Sequence, residues 1–509
     1  MPIRIISANL QGFQAEPVEV EVDLTKGLAR FKIVGLPDKA VEEARERVSS
    51  AIANSNAKPP QHQSKSVTVN LAPADVKKHG TWFDLPIAVA FLIASQQLAL
   101  NEQQTLLVVG ELGLDGDVRR VNGTLAAAAL AKKEGALLVL PEENLSEAML
   151  IEGITLLPVS TLTELMGALE QGSGTSKSTG AVNLPDDVAN DFDFGFIRGQ
   201  EHAKRALEIA AAGNHNILMV GPPGAGKTLL ARALPTILPP LAPDMMIEVT
   251  TIWSVAGLLH DERPLITAPP FRSPHHSASR AALVGGGSGR ATPGEVTLAH
   301  RGVLFLDELP EFPRHVLEAL RQPIEDGIVT VSRSEGTSTY PARFLLLAAQ
   351  NPCPCGNATD LERECICSAG QIMRYKRRVS GPMLDRIDLV VDVPRIAFDK
   401  LRDESAAESS KPIRERIAQA RKHQAQRFAD LPYTTNAEML TQHIEKFCTL
   451  DTKGEKMLEA AHDRFQLSPR GVTRILKVAR TIADLAGAEQ IAPDHVAEAI
   501  QYRRETAIT

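Results

Sequence analysis

Short apolar runs punctuate the chain, and the spacing between them changes twice. In the first 170 residues the runs VEVEVDL, ARFKIVGL, KSVTVNLA, TLLVVGEL and ALLVLP read as strands. They alternate with helical stretches at Lys39–Ala57 and Asp84–Leu98. The opening MPIRIISANLQGFQAEPVEVEV also alternates like a strand and carries no apolar signal core. This predicts an α/β or α+β domain over residues 1–170, and the polar QGSGTSKSTGAVNLPDD predicts a linker at 171–187. From 188 to 395 the runs NILMVGPP, GVLFLDEL, FLLLAAQ and IDLVVDVP are apolar throughout and separated by helical segments. Strands buried on both faces read this way, so the pattern predicts a largely parallel sheet between helical layers. Over 396–509 the strand signal fades and amphipathic helices such as Ile413–Phe428 and Gly471–Ala486 predict a helical third part.

Composition narrows the class. A hydrophobic fraction of 43% and a charged fraction of 23% are those of a globular protein, and no apolar stretch is long enough to span a membrane. A cytoplasmic protein with no membrane partner is expected. The net charge of −7 gives no whole-chain attraction to nucleic acid, so any such contact must come from local basic patches. Four of the five cysteines lie close together, which in a reducing compartment suggests a metal site before a disulfide.

The clearest chemistry is Gly221-Pro222-Pro223-Gly224-Ala225-Gly226-Lys227-Thr228, a complete G-x-x-x-x-G-K-[ST] between a strand-like run and a helical one. Its glycines let backbone N–H groups turn around phosphates at a helix N-terminus. Lys227 is expected at the β- and γ-phosphates of ATP and Thr228 on Mg2+. A second apolar run ends in Asp307-Glu308, where Asp307 would hold the magnesium and Glu308 would polarise the attacking water.

From Ile197 onward the sequence resembles the magnesium-chelatase-like AAA+ ATPases, and within them the ComM/YifB group. The resemblance is carried by IRGQEHAKRALEIAAAGNHNILMVGPPGAGKT, FRSPHHSASRAALVGGG, PGEVTLAHRGVLFLDELPEF, LLLAAQNPCPCG, SGPMLDRIDL and LSPRGVTRILKVARTIADLAG. It implies an AAA+ core with pore-loop insertions over 188–395 and a C-terminal helical lid over 396–509. It also implies that Asn351 is the first sensor, Arg386 an arginine finger acting on a neighbouring subunit, and Arg470 the lid's second sensor, with Arg474 beside it. Ile197, Gly199 and Gln200 would pack near adenine. A finger acting in trans implies a ring, a homo-hexamer formed with ATP or DNA.

Two insertions and a basic run remain. Phe271–Gly289, with His275-His276, matches a pore-facing loop of the family. Its two histidines, as strand neighbours, would face opposite ways and not share one ion. Asp326–Arg343 reads as a hairpin offering Arg333 to the pore. Cys353, Cys355, Cys365 and Cys367 form C-x-C…C-x-C, which can close a tetrahedral zinc shell or remain four free or redox-active thiols. Arg374-Tyr375-Lys376-Arg377-Arg378 interleaves cations with an aromatic, which suits single-stranded or branched DNA but also a solvated helix face.

The first 170 residues resemble the fold shared by the Lon proteolytic domain and the C-terminal domain of RadA, through VNLAPADVKKHGTWFDLPIAVAFLIA and GELGLDGDVRRVNGTLAAAALAKKEGALLVLP. His79-Gly-Thr-Trp82 and Gly123-Thr-Leu-Ala126 stand where Lon carries its serine and lysine, so Ser–Lys chemistry is not expected, and Thr81 lacks a partner base. Lys77, Lys78, His79, Arg119 and Arg120 are candidates for a DNA-facing patch. The family likeness implies an ATP-dependent DNA helicase that moves branched DNA in recombination, as when transforming DNA is integrated. A protein unfoldase or protease-related factor, and a chelatase-type remodelling ATPase, are the alternatives.

Overall fold

A computed structural model describes residues 2–63, 65–99, 105–178, 192–259, 264–286, 292–333, 336–360, 362–396 and 407–504. The N-terminal part is an eight-stranded mixed sheet. Its spatial order is Ser176–Lys177, Thr155–Val159, Leu137–Pro141, Leu106–Val108, Ile3–Gln11, Gln14–Lys26, Lys65–Ala72 and Arg30–Val34. Alternation in Lys65–Ala72 is strict, with Val67, Val69 and Leu71 buried beneath the helices. The helix Asp84–Ala94, DLPIAVAFLIA, is apolar on nearly every face and runs through the middle of this core. Ser176–Lys177 pairs antiparallel with Thr155–Leu156. The sheet therefore extends past 170 and takes in Ser176 and Lys177 of the expected linker. Residues 179–191 of that linker lie outside the described residues.

The second sheet has five parallel strands: β1 (Ile217–Val220), β2 (Phe271–Arg272), β3 (Val303–Leu306), β4 (Leu345–Gln350) and β5 (Leu389–Asp392). Their spatial order is β2-β3-β4-β1-β5, with every neighbour parallel. Ligands of such sheets bind beyond the carboxyl ends of the strands, here after Val220, Leu306 and Gln350. The expected hairpin is present as Ile328–Arg333 paired with Gly336–Pro341.

The C-terminal helices Ser410–Arg427, Thr441–Phe447, Thr452–Phe465, Pro469–Leu485 and Pro493–Arg504 share one hydrophobic core with the five-stranded sheet. Their polar anchors sit at the other end of that sheet. Arg421 and Gln424 donate to the carbonyls of Ala211 and Ala212, and Arg474 and Arg503 donate to that of Ile387, just before β5. The N-terminal domain docks on the core through helix Pro243–Val255, where the buried Ser254 hydroxyl donates to the buried Glu147 carboxylate. Phe13, at the tip of the first long hairpin, packs into the core around Val329, Val331 and Tyr340 of the 328–341 hairpin.

Candidate active site

β1 ends at Val220 and the chain turns through Gly221–Gly226 into the helix Lys227–Ile237. Gly224 and Gly226 hold φ of +79° and +92°, which lets backbone N–H groups converge instead of alternating. Lys227 begins the helix and is buried. Its Nζ donates to the carbonyls of Gly221 (2.7 Å) and Pro222 (3.0 Å) and to Asn351 Oδ1 (3.1 Å). Burial pushes the ammonium below the ordinary lysine range, and the nearby Asp307 and Glu308 offset this in part. A desolvated cation held only by neutral oxygens is poised to exchange them for phosphate oxygens.

The neighbouring strand ends complete the cradle. Thr228 Oγ1 donates to Asp307 Oδ2 (2.9 Å), and the Glu308 backbone N–H donates to Asp307 Oδ1 (2.9 Å). Glu308 itself adopts φ +52°, an uncommon conformation that turns the chain sharply at the end of β3. On the flank, Gln200 Nε2 donates to the carbonyls of Ala225 (3.2 Å) and Pro394 (2.6 Å). Ile197 is buried in the core beneath, and Gly199 faces Ile396.

One residue at this site escaped the sequence. β2 stops at Arg272, so His275 and His276 lie in a turn rather than on opposite faces of a strand. Their rings sit with centroids 4.0 Å apart, and His276 Nδ1 lies 3.4 Å from Glu308 Oε2. No local motif announces this; it follows from β2 and β3 being neighbours whose ends emerge side by side.

The arginines are elsewhere. Arg386 is 4% exposed, donates to the Pro382 carbonyl at 2.5 Å and places Nη2 2.6 Å from Glu325 Oε1. Arg470 Nη1 lies 3.2 Å from the same carboxylate oxygen. Both line an open cavity of about 530 Å3 with Arg343, Arg474, Lys477 and Glu325, bordered by Asn214 and Asn216 at the start of β1. Arg470 is thus brought to Arg386 and not to Lys227 of its own chain. Arg474 is held by Asp388 and the Ile387 carbonyl.

The four cysteines converge. Cys353 Sγ lies 3.4 Å from Cys355 Sγ and 3.6 Å from Cys365 Sγ, and all four sulfurs fall within 4.8 Å of one another. A tetrahedron of Zn–S bonds near 2.3 Å has S···S edges of about 3.8 Å, so the donor set fits zinc. The backbone N–H groups of Asn357 and Ile366 point at the Cys355 sulfur and favour its thiolate, while the crowding of sulfurs pushes Cys365 and Cys367 the other way. This is the only such convergence of metal-ligating side chains among the described residues.

The basic run is partly consumed by structure. Arg374 and Arg377 are exposed on or beside the helix Ala369–Lys376, Lys376 is half-buried, and Arg378 pairs with Glu311 at 2.7 Å. Tyr375 is buried, and burial pushes its hydroxyl up to about 12, so the expected base-stacking face is withdrawn into the core. Arg333 stands opposite Gly336 at the last pair of its hairpin. In the N-terminal domain Lys78 is fully buried and donates to the carbonyls of Pro73 and Val76, which removes it from a DNA-facing patch. His79 pairs with Asp38, and Arg120 donates to the Leu259 carbonyl of the core. Thr81 lines a cavity with His79, Glu111 and Arg120 where the two domains meet.

Comparison with known proteins agrees with this architecture along the chain. Family profiles described as subunit ChlI of Mg-chelatase, magnesium chelatase subunit ChlI, and its C-terminal part match residues 20–144, 193–401 and 407–503. The chain is 44% identical over 508 residues to the Mycobacterium tuberculosis protein Rv2897c, covering 99% of both. It is 43% identical over 508 residues to competence protein ComM of Haemophilus influenzae, covering 98% of this chain and 97% of that one. To YifB of Escherichia coli it is 43% identical over 495 residues, 97% and 95% of the two chains. The chain belongs to the ComM/YifB-type magnesium-chelatase-like proteins and is a ChlI-like AAA+ ATPase. No helix among the described residues is long and apolar enough to cross a membrane.

Proposed function

We propose, from this family membership, that the chain is an ATP-driven DNA motor that works as a ring, a helicase for branched DNA in recombination. The observation that carries the motor is the joining of three strand ends in one cradle, with Lys227 bonded to Asn351 and Thr228 to Asp307. Lys227 and the N–H groups of Gly221–Gly226 would bind the phosphates of ATP. Thr228 and Asp307 would hold Mg2+, which when bound neutralises charge on the β- and γ-phosphates. Glu308 orients and polarises the attacking water, Asn351 fixes its position relative to the γ-phosphate, and Ile197 and Gln200 flank the base.

Arg386 and Arg470 point away from this cradle and act together on the neighbouring subunit's γ-phosphate. A head-to-tail interface of this kind closes into a ring, read here as a hexamer. Cys353, Cys355, Cys365 and Cys367 hold Zn2+, which folds an insert that has almost no apolar core. The DNA reading draws on the exposed Arg374 and Arg377, on Arg333 at the hairpin tip, and on the likeness to ComM, a competence protein. Lys376 and Arg378 flank the same surface.

The deciding experiment measures ATP hydrolysis and strand displacement on a forked or four-way junction, comparing the natural chain with Glu308→Gln. DNA-stimulated hydrolysis with displacement, both lost in the variant, is expected. Hydrolysis indifferent to DNA would sink the helicase reading in favour of protein or chelatase-type remodelling.

A further inference from the structure

We propose that the four-cysteine metal centre forms the outer wall of the nucleotide site, so that metal occupancy sets how tightly the chain holds ATP. This rests on the reading of the four thiolates as zinc ligands and of Gly221–Thr228 as the ATP cradle.

Three connections join the two sites. The first is covalent: Asn351, whose Oδ1 accepts from Lys227 Nζ, lies two residues before the buried ligand Cys353. The second is steric. Gly356 follows the ligand Cys355, donates its N–H to the Cys353 carbonyl at 3.0 Å and has φ +84°. A Cβ at this position would meet Pro223 Cδ at 2.4 Å and Cγ at 2.7 Å, so the turn between two ligands lies directly on the phosphate loop. The third is electrostatic. Arg395 places Nε 2.8 Å from Asp360 Oδ2, in the segment between the cysteine pairs, and Nη2 3.5 Å from the Pro223 carbonyl. The Asp360 carboxylate is sequestered, so this bridge is not a loose surface pair.

Among the described residues of the insert, few side chains are buried. Pro354, Ala358, Thr359 and Glu362–Glu364 are exposed, and Ile366, between two ligands, is 87% exposed. Without metal, Cys353–Cys355 and Cys365–Cys367 lose the strongest bonds that span them and keep the Ile366 N–H contact to Cys355. The Gly356 turn then leaves Pro223, and the backbone carrying Asn351 loses its anchor. Ordering that wall again would draw on the free energy of ATP binding.

The test uses the full chain, a fluorescent ATP analogue with Mg2+, and elemental analysis for zinc. About one zinc per chain is expected, matching one tetrahedral shell. Stripping with a zinc-selective chelator should weaken analogue binding about tenfold or more, with recovery when zinc is returned. Cys365→Ser should lose zinc and affinity together, while Cys448→Ser, at a buried thiol outside the cluster, should change neither. Gly356→Ala separates packing from folding. It keeps all four thiolates, so zinc should stay stoichiometric while affinity falls several-fold. A stripped protein that binds as before, or a zinc-loaded Gly356→Ala chain with full affinity, overturns the proposal. A natural chain that contains no metal yet binds the analogue tightly defeats the four-thiolate reading beneath it and leaves the ATP site standing.

Discussion

Replacing Arg386 with alanine removes a guanidinium that is almost fully buried yet touches no part of its own phosphate cradle. Two partners are left behind. The Pro382 carbonyl loses a donor, and Glu325, 41% exposed on its side chain, keeps Arg470 and water. The cost in stability is therefore expected at about 1–2 kcal/mol, which leaves the fold intact. The cost in catalysis is expected to be much larger, because a finger on the γ-phosphate contributes about 10³–10⁵ in rate, or about 4–7 kcal/mol of barrier. Nucleotide affinity of the isolated subunit should not change. The decisive assay mixes Arg386→Ala with Lys227→Ala, each inactive alone. The first chain keeps a complete cradle and the second keeps a working finger. Random mixed rings would then contain complete sites at about one interface in four, and hydrolysis should return to about that fraction. A mixture that assembles, shown by capture of one tagged chain with the other, but stays inactive would refute action in trans. A loss of affinity in Arg386→Ala would refute it as well.

Other outcomes follow from the same geometry. Glu308→Gln should bind ATP with near-natural affinity but hydrolyse it at least about a hundredfold more slowly, read in single-turnover assays; an unchanged rate removes Glu308 from the water-activating role. Arg374→Ala and Arg377→Ala should each weaken DNA binding uniformly across sequences and lower the slope of log affinity against log salt by about one; an unchanged slope places both on an idle solvated face. Glu248 is partly buried, which alone would raise its pKa, but His300 and Arg301 overcome this and hold it at about 2. Its stabilising contribution is thus present above the unfolded carboxylate range near 4 and lost as pH falls toward 2. Glu248→Gln should lower stability at neutral pH and flatten the acid limb of an unfolding curve; a parallel limb would show that the pair contributes nothing.

The cradle was legible because each of its parts ends a strand that is apolar throughout, and a parallel sheet places such ends together. Gly221–Thr228 and Asp307-Glu308 could be read as one site for that reason, whereas Asn351 was picked out only by the family resemblance. The hairpin expected over Asp326–Arg343 is found as Ile328–Arg333 paired with Gly336–Pro341. Residues whose roles depend on tertiary neighbours were not. Lys78 and Tyr375 sit in charged, surface-like stretches, and only the fold reveals that one caps buried carbonyls and the other fills a core. His275 and His276 were reasoned on as strand neighbours because nothing in PHHSAS marks where β2 stops. The strand Ser176–Lys177 was hidden in a polar, glycine-rich stretch, since an edge strand needs backbone partners more than apolar side chains.

The sheet also explains why one chain should be insufficient. β1 is four residues long, so about 13 Å of strand separates the phosphate cradle at its carboxyl end from the arginine cavity at its start. Arg386 and Arg470 are thereby held at the end of the sheet remote from their own chain's cradle. In the single chain Arg386 and Arg470 instead share the Glu325 carboxylate, which holds two like charges together. On the proposed reading a neighbour's γ-phosphate must compete with Glu325 for both guanidiniums, and succeeds through its greater charge and the loss of water when the interface closes. Nucleotide and assembly are then linked: whatever factor ATP adds to the affinity between subunits, assembly adds to the affinity for ATP. Glu325→Gln should therefore shift ATP-dependent assembly to lower protein concentration, because the phosphate no longer displaces a carboxylate. Sedimentation of that variant showing assembly at the natural concentration, or only at a higher one, would mean that Glu325 positions the arginines and does not compete for them.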